Sequence, residues 1–169
     1  MAETSVRPPT RIGVTGHRVI PVAAYGHVEA ALTDALRPSC ESAAPLEALS
    51  SLAAGSDQLF AEIALAGGAR LTVVTPAADY ETTFAPEELL RFRSLLGRAH
   101  THIVLDYPQV SDQAYYAAGA YIADHCDRML AVWDGRPARG LGGTADIVHY
   151  TRALGKPVSV IWKTGVERE

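Results

Sequence analysis

The chain is poor in several things, and each scarcity closes off a class of function. Only two of its 169 residues are cysteine, Cys40 and Cys126, with no CxxC or zinc-ligand spacing, so neither a disulfide framework nor a structural zinc site is expected. Lysine is almost absent, at Lys156 and Lys163, and the formal charge of -4 provides no basic footprint. On that ground no nucleic acid is expected as a partner, and no acidic membrane surface. No apolar run approaches the ~20 residues of a membrane span, and the polar, proline-bearing start has no signal-peptide core, so a cytoplasmic protein without a membrane partner is expected. Gly-x-Ser-x-Gly, HExxH, a Walker A lysine loop and a full Gly-x-Gly-x-x-Gly fingerprint are all missing, which disfavours hydrolase triads, zinc peptidases and P-loop NTPases.

What the chain does have is alternation. Short apolar runs at 11–15, 48–53, 71–75, 102–105, 129–133 and 158–162 alternate with segments of helical period at 25–36, 56–65, 86–96, 113–125 and 145–154. This predicts an α/β protein: one domain over 11–164, with a mainly parallel sheet of five to six strands and helices on both faces, between flexible tails at 1–10 and 165–169. Pro38 is expected to close the first helix.

In such sheets ligands bind beyond the carboxyl ends of the strands, and glycines with polar residues gather there. Strand one runs into Gly16, His17 and Arg18, strand two into Gly55, Ser56 and Asp57, and strand five into Asp134 and Gly135. Gly142, Gly143 and Thr144 then open a helix, whose first unpaired N–H groups and positive dipole end suit a phosphate. Arg18 suits a planar anion, and Asp57 or Asp134 a ribose hydroxyl. Each also has a plainer reading: Asp134 as an Asx turn, Ser56 as a helix cap, Asp57 and Asp146 as first-turn charges. His100 and His102 lack further ligands, and no metal is expected. The helix tyrosines Tyr115, Tyr116 and Tyr121 read as packing residues with their hydroxyls in water, and Tyr116 lies early enough in the helix to reach the crevice.

The segments 14–18, 54–62 and 131–135, with Gly142-Gly143-Thr144 and the Leu-Gly-Lys-Pro-Val run at 154–158, resemble the SLOG superfamily, nearest to its small bacterial proteins of the YpsA type. The resemblance spans about residues 11–162. It implies a Rossmann-like sheet and a pocket for a nucleotide or nucleotide-derived, signalling-type ligand, with no further cofactor required. The superfamily also includes DprA and the LOG enzymes, which cleave the ribose–base bond of nucleoside monophosphates. Their Pro-Gly-Gly-x-Gly-Thr-x-x-Glu pattern aligns at Gly143-Thr144, but Ile147 stands where the catalytic glutamate belongs. Asp146 lies one position early, about 100° around the helix.

Three functions follow as alternatives. The first is a small domain binding a nucleotide-like ligand. The second is a phosphoribohydrolase or N-glycosidase, with Asp146 or Asp57 as its carboxylate. The third is an interaction module whose glycines only shape turns. A homodimer is expected from the 113–125 helix, where Tyr115, Ala118, Tyr121 and Ile122 form the buried stripe and Ala114, Ala117 and Ala120 leave smooth outer faces.

Overall fold

The computed structural model describes residues 7–138 and 140–168. Residues 1–6 and 169 of the expected tails, and Arg139 of the glycine-rich loop, lie outside the described residues. The elements run β1 (Thr10–Gly16), α1 (Val22–Glu41), β2 (Leu46–Ser50), α2 (Ser56–Ala66), β3 (Arg70–Thr75), α3 (Pro86–Leu96), β4 (Thr101–Val104), α4 (Asp112–His125), β5 (Arg128–Val132), α5 (Thr144–Ala153) and β6 (Val158–Ile161), with a 3-10 turn at Tyr80–Thr83.

All six strands pair in parallel, in the order β4-β3-β2-β1-β5-β6. From β1 the chain builds outward through β2, β3 and β4, then returns to add β5 and β6 on the other side. Strand order therefore reverses between β1 and β5, where a crevice opens above the carboxyl ends. Helices α1, α2 and α3 cover one face, and α4 and α5 the other. The expected layered α/β architecture is what the chain adopts.

The two layers follow from the alternation along β1. Ile12 and Val14 point into the core beneath α1 and α2, with Leu32, Leu36 and Phe60. Gly13 faces the opposite way, where a Cβ would lie 2.5 Å from Ile122 of α4, so the missing side chain lets α4 press close to the sheet. Beneath α4 and α5, Ile122, Met129 and Ile147 form the second core.

Some expectations need correction. Helix α1 does not stop at Pro38 but runs through it to Glu41, because a proline in the last turn removes only one hydrogen bond and the Asp34 position it would have served is exposed to water. Strand β2 ends at Ser50 instead of continuing to Ala53: the Ser50 hydroxyl accepts from the Leu52 N–H (3.0 Å) and Leu52 turns to φ 55°. On α4 the buried stripe is Ala114, Ala118 and Ile122, so Ala114 faces the core and not outward. Among the described residues no helix is long and apolar enough to cross a membrane.

Candidate functional site

The β1/β5 crevice contains a cavity of about 390 Å³, walled by the loops after β1, β2 and β3 and by the starts of α4 and α5. Of the residues expected from sequence, Gly16, His17, Arg18, Asp57, Gly142, Gly143 and Thr144 line it. Gly55, Ser56, Asp134, Gly135 and Asp146 do not.

Those five take other work. Gly55 has φ +76°, and a Cβ there would lie 2.2 Å from the Arg18 carbonyl oxygen. Ser56 is fully buried and donates its hydroxyl to the His17 carbonyl at 2.7 Å. Together they fasten the β1 loop onto the start of α2. Asp134 accepts from the Arg136 N–H at 3.0 Å, forming an Asx turn, and its carboxylate also meets His17 Nε2 and Arg168 Nε at 3.3 Å each. Burial alone would raise its pKa, but the Arg136 N–H, His17 and Arg168 together hold it below the usual carboxylate value. Gly135, at φ +84°, turns the chain beside it. Asp146 accepts from the Gly142 N–H at 3.0 Å and so braces the glycine loop from behind.

That loop is tightly seated. A Cβ on Gly142 would stand 2.6 Å from the Tyr116 nitrogen, and one on Gly143 2.7 Å from Ala138 Cβ, so side chains at either position would displace the loop from α4 or from its own preceding turn. Gly143 is the residue before α5. Within the described residues the Thr144 hydroxyl has no hydrogen-bond partner, and the Thr144 and Ala145 N–H groups find no backbone or side-chain acceptor. Thr144 presents its polar atoms to the cavity at the positive end of a ten-residue helix.

The other end of the cavity holds four titratable side chains from four elements. Arg18 places its guanidinium 5.3 Å from the centre of the Tyr115 ring and makes no ion pair among the described residues. Asp57 is only 7% exposed, and burial pushes its carboxyl up to about 7 against the lowering effects of the Ala53 N–H and Arg18. Tyr80 is 3% exposed and edge-packed on Phe84 and Phe92; burial first, and the Asp57 charge second, hold its phenol far above the ordinary value.

Sequence reasoning gave no role to Tyr80, which follows β3, lines the cavity and lies where the Asp57 charge acts on its phenol. It also took Tyr116 for the crevice residue. Tyr115 is the one that lines it, while Tyr116 lies edge-on to Tyr150 at 5.9 Å, on the far side of α4. Arg168, placed by the sequence in the C-terminal tail, lines the cavity and also donates to the Pro137 carbonyl. Ile147 lines the cavity too, with its Cδ1 filling the notch left by Gly119 of α4. The carboxylate of Asp112, at the start of α4, also lines the cavity, beside Gly140.

This arrangement has counterparts among solved structures. DNA processing protein A (DprA) from Streptococcus pneumoniae superposes with a TM-score of 0.70 at 19% identity, over 94% of this chain and 52% of DprA. The fold is one that DprA shares. A second DprA, from Helicobacter pylori, matches at TM-score 0.65 and 13% identity over 90% of this chain and 65% of its own. The structural-genomics protein TM1055 matches at 0.54 and 14%, over 88% and 72%. This chain thus spans about half of the first DprA and just under two thirds of the second. At these identities the likeness is one of fold, and it agrees with the SLOG-type, Rossmann-like resemblance carried by the sequence motifs. No protein-family model matches the sequence, and no curated protein does.

One expectation is overturned here. Net negative charge was read as leaving no place for a nucleic-acid partner, yet the H. pylori protein of the same fold is described by its single-stranded DNA binding mode. Net charge sums the whole surface, whereas a crevice at a strand-order reversal presents its own few groups, here Arg18, Arg168 and a helix start. It does not decide what such a crevice binds.

Proposed function

We propose that this chain is a Rossmann-like binding domain of the YpsA type that takes a nucleotide unit in the β1/β5 crevice. The phosphate is held at the start of α5 by the Thr144 hydroxyl with the Thr144 and Ala145 N–H groups, and Arg18 serves it from the β1 loop. The observation that carries this reading is the convergence of an unbonded Thr144 hydroxyl, unpaired helix-start N–H groups and an unpaired guanidinium on one cavity at the strand-order reversal. Binding rather than ribose–base cleavage is the assigned activity, because Ile147 supplies no proton and Asp146 is committed to the Gly142 N–H; Asp57, the other candidate carboxylate, lines the cavity, and adenine release from AMP is the readout that would give it the catalytic role.

Titration calorimetry with ribose 5-phosphate, AMP and a 5′-phosphorylated single-stranded DNA tests the reading. The DNA is included because of the H. pylori neighbour. At least one of the three binds, and Thr144→Asp, which replaces the cavity-lining hydroxyl with a carboxylate, abolishes binding while the far-ultraviolet circular dichroism stays unchanged. Three flat titrations would refute the proposal, and free adenine accumulating from AMP would replace binding with catalysis.

A further inference from the structure

The end of the cavity away from α5 is chemically specific in a way that a phosphate does not require. Asp57 and Tyr80 are both more than nine-tenths buried, and both line the cavity. One Asp57 oxygen, Oδ2, accepts from the Ala53 N–H at 3.3 Å, whereas Oδ1 has no hydrogen bond among the described residues. The Tyr80 hydroxyl likewise has none. Neither atom is sealed in the interior, since the one buried, unbonded side-chain oxygen among the described residues is Asp134 Oδ2. Each therefore opens onto the cavity. Buried polar atoms without a protein partner are costly unless a ligand or water serves them, so two of them side by side mark a recognition point.

Two further residues give that point its shape. The Tyr115 ring with the Arg18 guanidinium over it forms a flat wall of aromatic and cationic character, the kind of surface on which planar heterocycles stack. The Tyr80 ring is itself held by Phe84 and Phe92, at centroid separations of 5.1 and 5.7 Å, which fixes where its hydroxyl can point.

We propose that this end of the cavity is a nucleobase subsite that takes a base edge of one donor beside one acceptor, as adenine presents, through the Asp57 carboxyl and the Tyr80 hydroxyl, with the base plane against Tyr115 and Arg18. The inference rests on the nucleotide reading above and specifies it. The amidine edge of adenine presents an amino donor beside a ring-nitrogen acceptor. A neutral carboxyl matches it with two antiparallel hydrogen bonds: its O–H donates to the ring nitrogen, and its carbonyl oxygen accepts from the amino group. A lactam edge, an N–H beside a carbonyl, pairs with the same neutral carboxyl in the opposite sense, so the subsite takes either edge while the proton is in place.

Burial raises the Asp57 pKa to about 7, so its carboxyl is mostly neutral below that value and mostly ionised above it. The charged and titratable groups facing it are Arg18 from the β1 loop, Tyr80 from the 3-10 turn and Tyr115 from α4, with Asp112 at the cavity wall. Arg18 favours the ionised form and Tyr80 stays neutral throughout, so Asp57 is the group whose proton decides the pairing.

The test compares AMP with ribose 5-phosphate by titration calorimetry from about pH 6 to about pH 8.5. Taking the ratio of the two cancels the titration of the shared phosphate. Near pH 6, AMP binds at least about ten-fold tighter than ribose 5-phosphate, the worth of one to two matched hydrogen bonds, and the ratio falls as Asp57 ionises and its donor is lost. Asp57→Asn keeps a donor beside an acceptor, so it retains the preference for AMP and loses the pH dependence. Asp57→Leu and Tyr80→Phe lower the ratio without weakening ribose 5-phosphate. If AMP and ribose 5-phosphate bind equally across the range, the subsite is wrong and the nucleotide reading stands. If neither binds, both are wrong.

Discussion

Arg168 closes the C-terminal segment onto Asp134, its Nε lying 3.3 Å from a carboxylate oxygen that no hydrogen bond reaches. The Asp134 side chain is 3% exposed, so the pair is shielded from water and from salt. It joins the loop after β5 to residues the sequence pattern had placed outside the domain. Removing the guanidinium leaves a buried charge with only His17 and the Arg136 N–H to hold it.

Arg168→Ala is therefore expected to lower stability by about 1–3 kcal/mol near pH 7, read as a shift in the urea midpoint. Because Asp134 is held below its ordinary 3.8, its contribution is present above that value and disappears as pH falls through the lower folded-state value. The variant, having less to lose, shows a shallower acid limb below about pH 4. Identical midpoints for the two proteins at pH 7 would mean that the pair contributes nothing.

Two glycines with positive φ differ in what surrounds them. Gly55 and Gly135 have φ of +76° and +84°, but only Gly55 has protein where a side chain would stand, with the Arg18 carbonyl oxygen 2.2 Å away. Gly135→Ala is expected to cost only the backbone term, about 1 kcal/mol, in thermal or urea unfolding. Gly55→Ala is expected to cost about 3 kcal/mol or more, since the β1 loop must move off α2. Equal losses would show that the close approach at Gly55 is relieved without cost.

The fold was legible because burial on both faces writes itself into a parallel strand as an apolar run and into a covering helix as a stripe, as in Val28, Leu32 and Leu36. The place of the glycine loop at the cavity was legible for a local reason: Gly142, Gly143 and Thr144 are adjacent in sequence, and a helix start needs no distant partner. What stayed hidden was long-range or depended on side-chain commitment. Asp134 and Asp146 looked as available as Asp57; all three accept from N–H groups of their own loops, and only the fold shows that Asp57 alone of them lines the cavity. Tyr80 carries no motif at all, and its place beside Asp57 comes from the path of the chain after β3. The error over Tyr116 is a matter of helix phase. The α4 stripe begins at Ala114, one residue from where the sequence placed it, and that turns Tyr115 toward the crevice and Tyr116 toward Tyr150.

Arg18 should not be replaceable by lysine. Its guanidinium lies over the Tyr115 ring, a geometry that uses the planarity of arginine as well as its charge. Both Arg18→Lys and Arg18→Ala are expected to weaken AMP about ten-fold in calorimetry, and Tyr115→Ala to do so by a smaller factor by freeing the guanidinium. Full affinity in Arg18→Lys would reduce the residue to a point charge.

Asp57 imposes a stability cost that its replacement should reveal. Its carboxyl titrates near 3.8 when unfolded and at about 7 in the folded chain, so between these values the folded state holds a proton that the unfolded state has released. Stability then falls as pH rises across that window and levels off above it, the opposite of the Asp134 contribution. The loss is on the order of a few kcal/mol, at 1.36 kcal/mol for each unit of difference. Asp57→Asn keeps an oxygen for the Ala53 N–H and carries no charge. It is expected to match the parent chain near pH 5 and exceed it at pH 8, by several degrees in melting temperature. Parallel stability curves for the two proteins from pH 5 to 8 would show that Asp57 is already ionised in the folded state, and would remove the physical basis for its reading a base edge in neutral form.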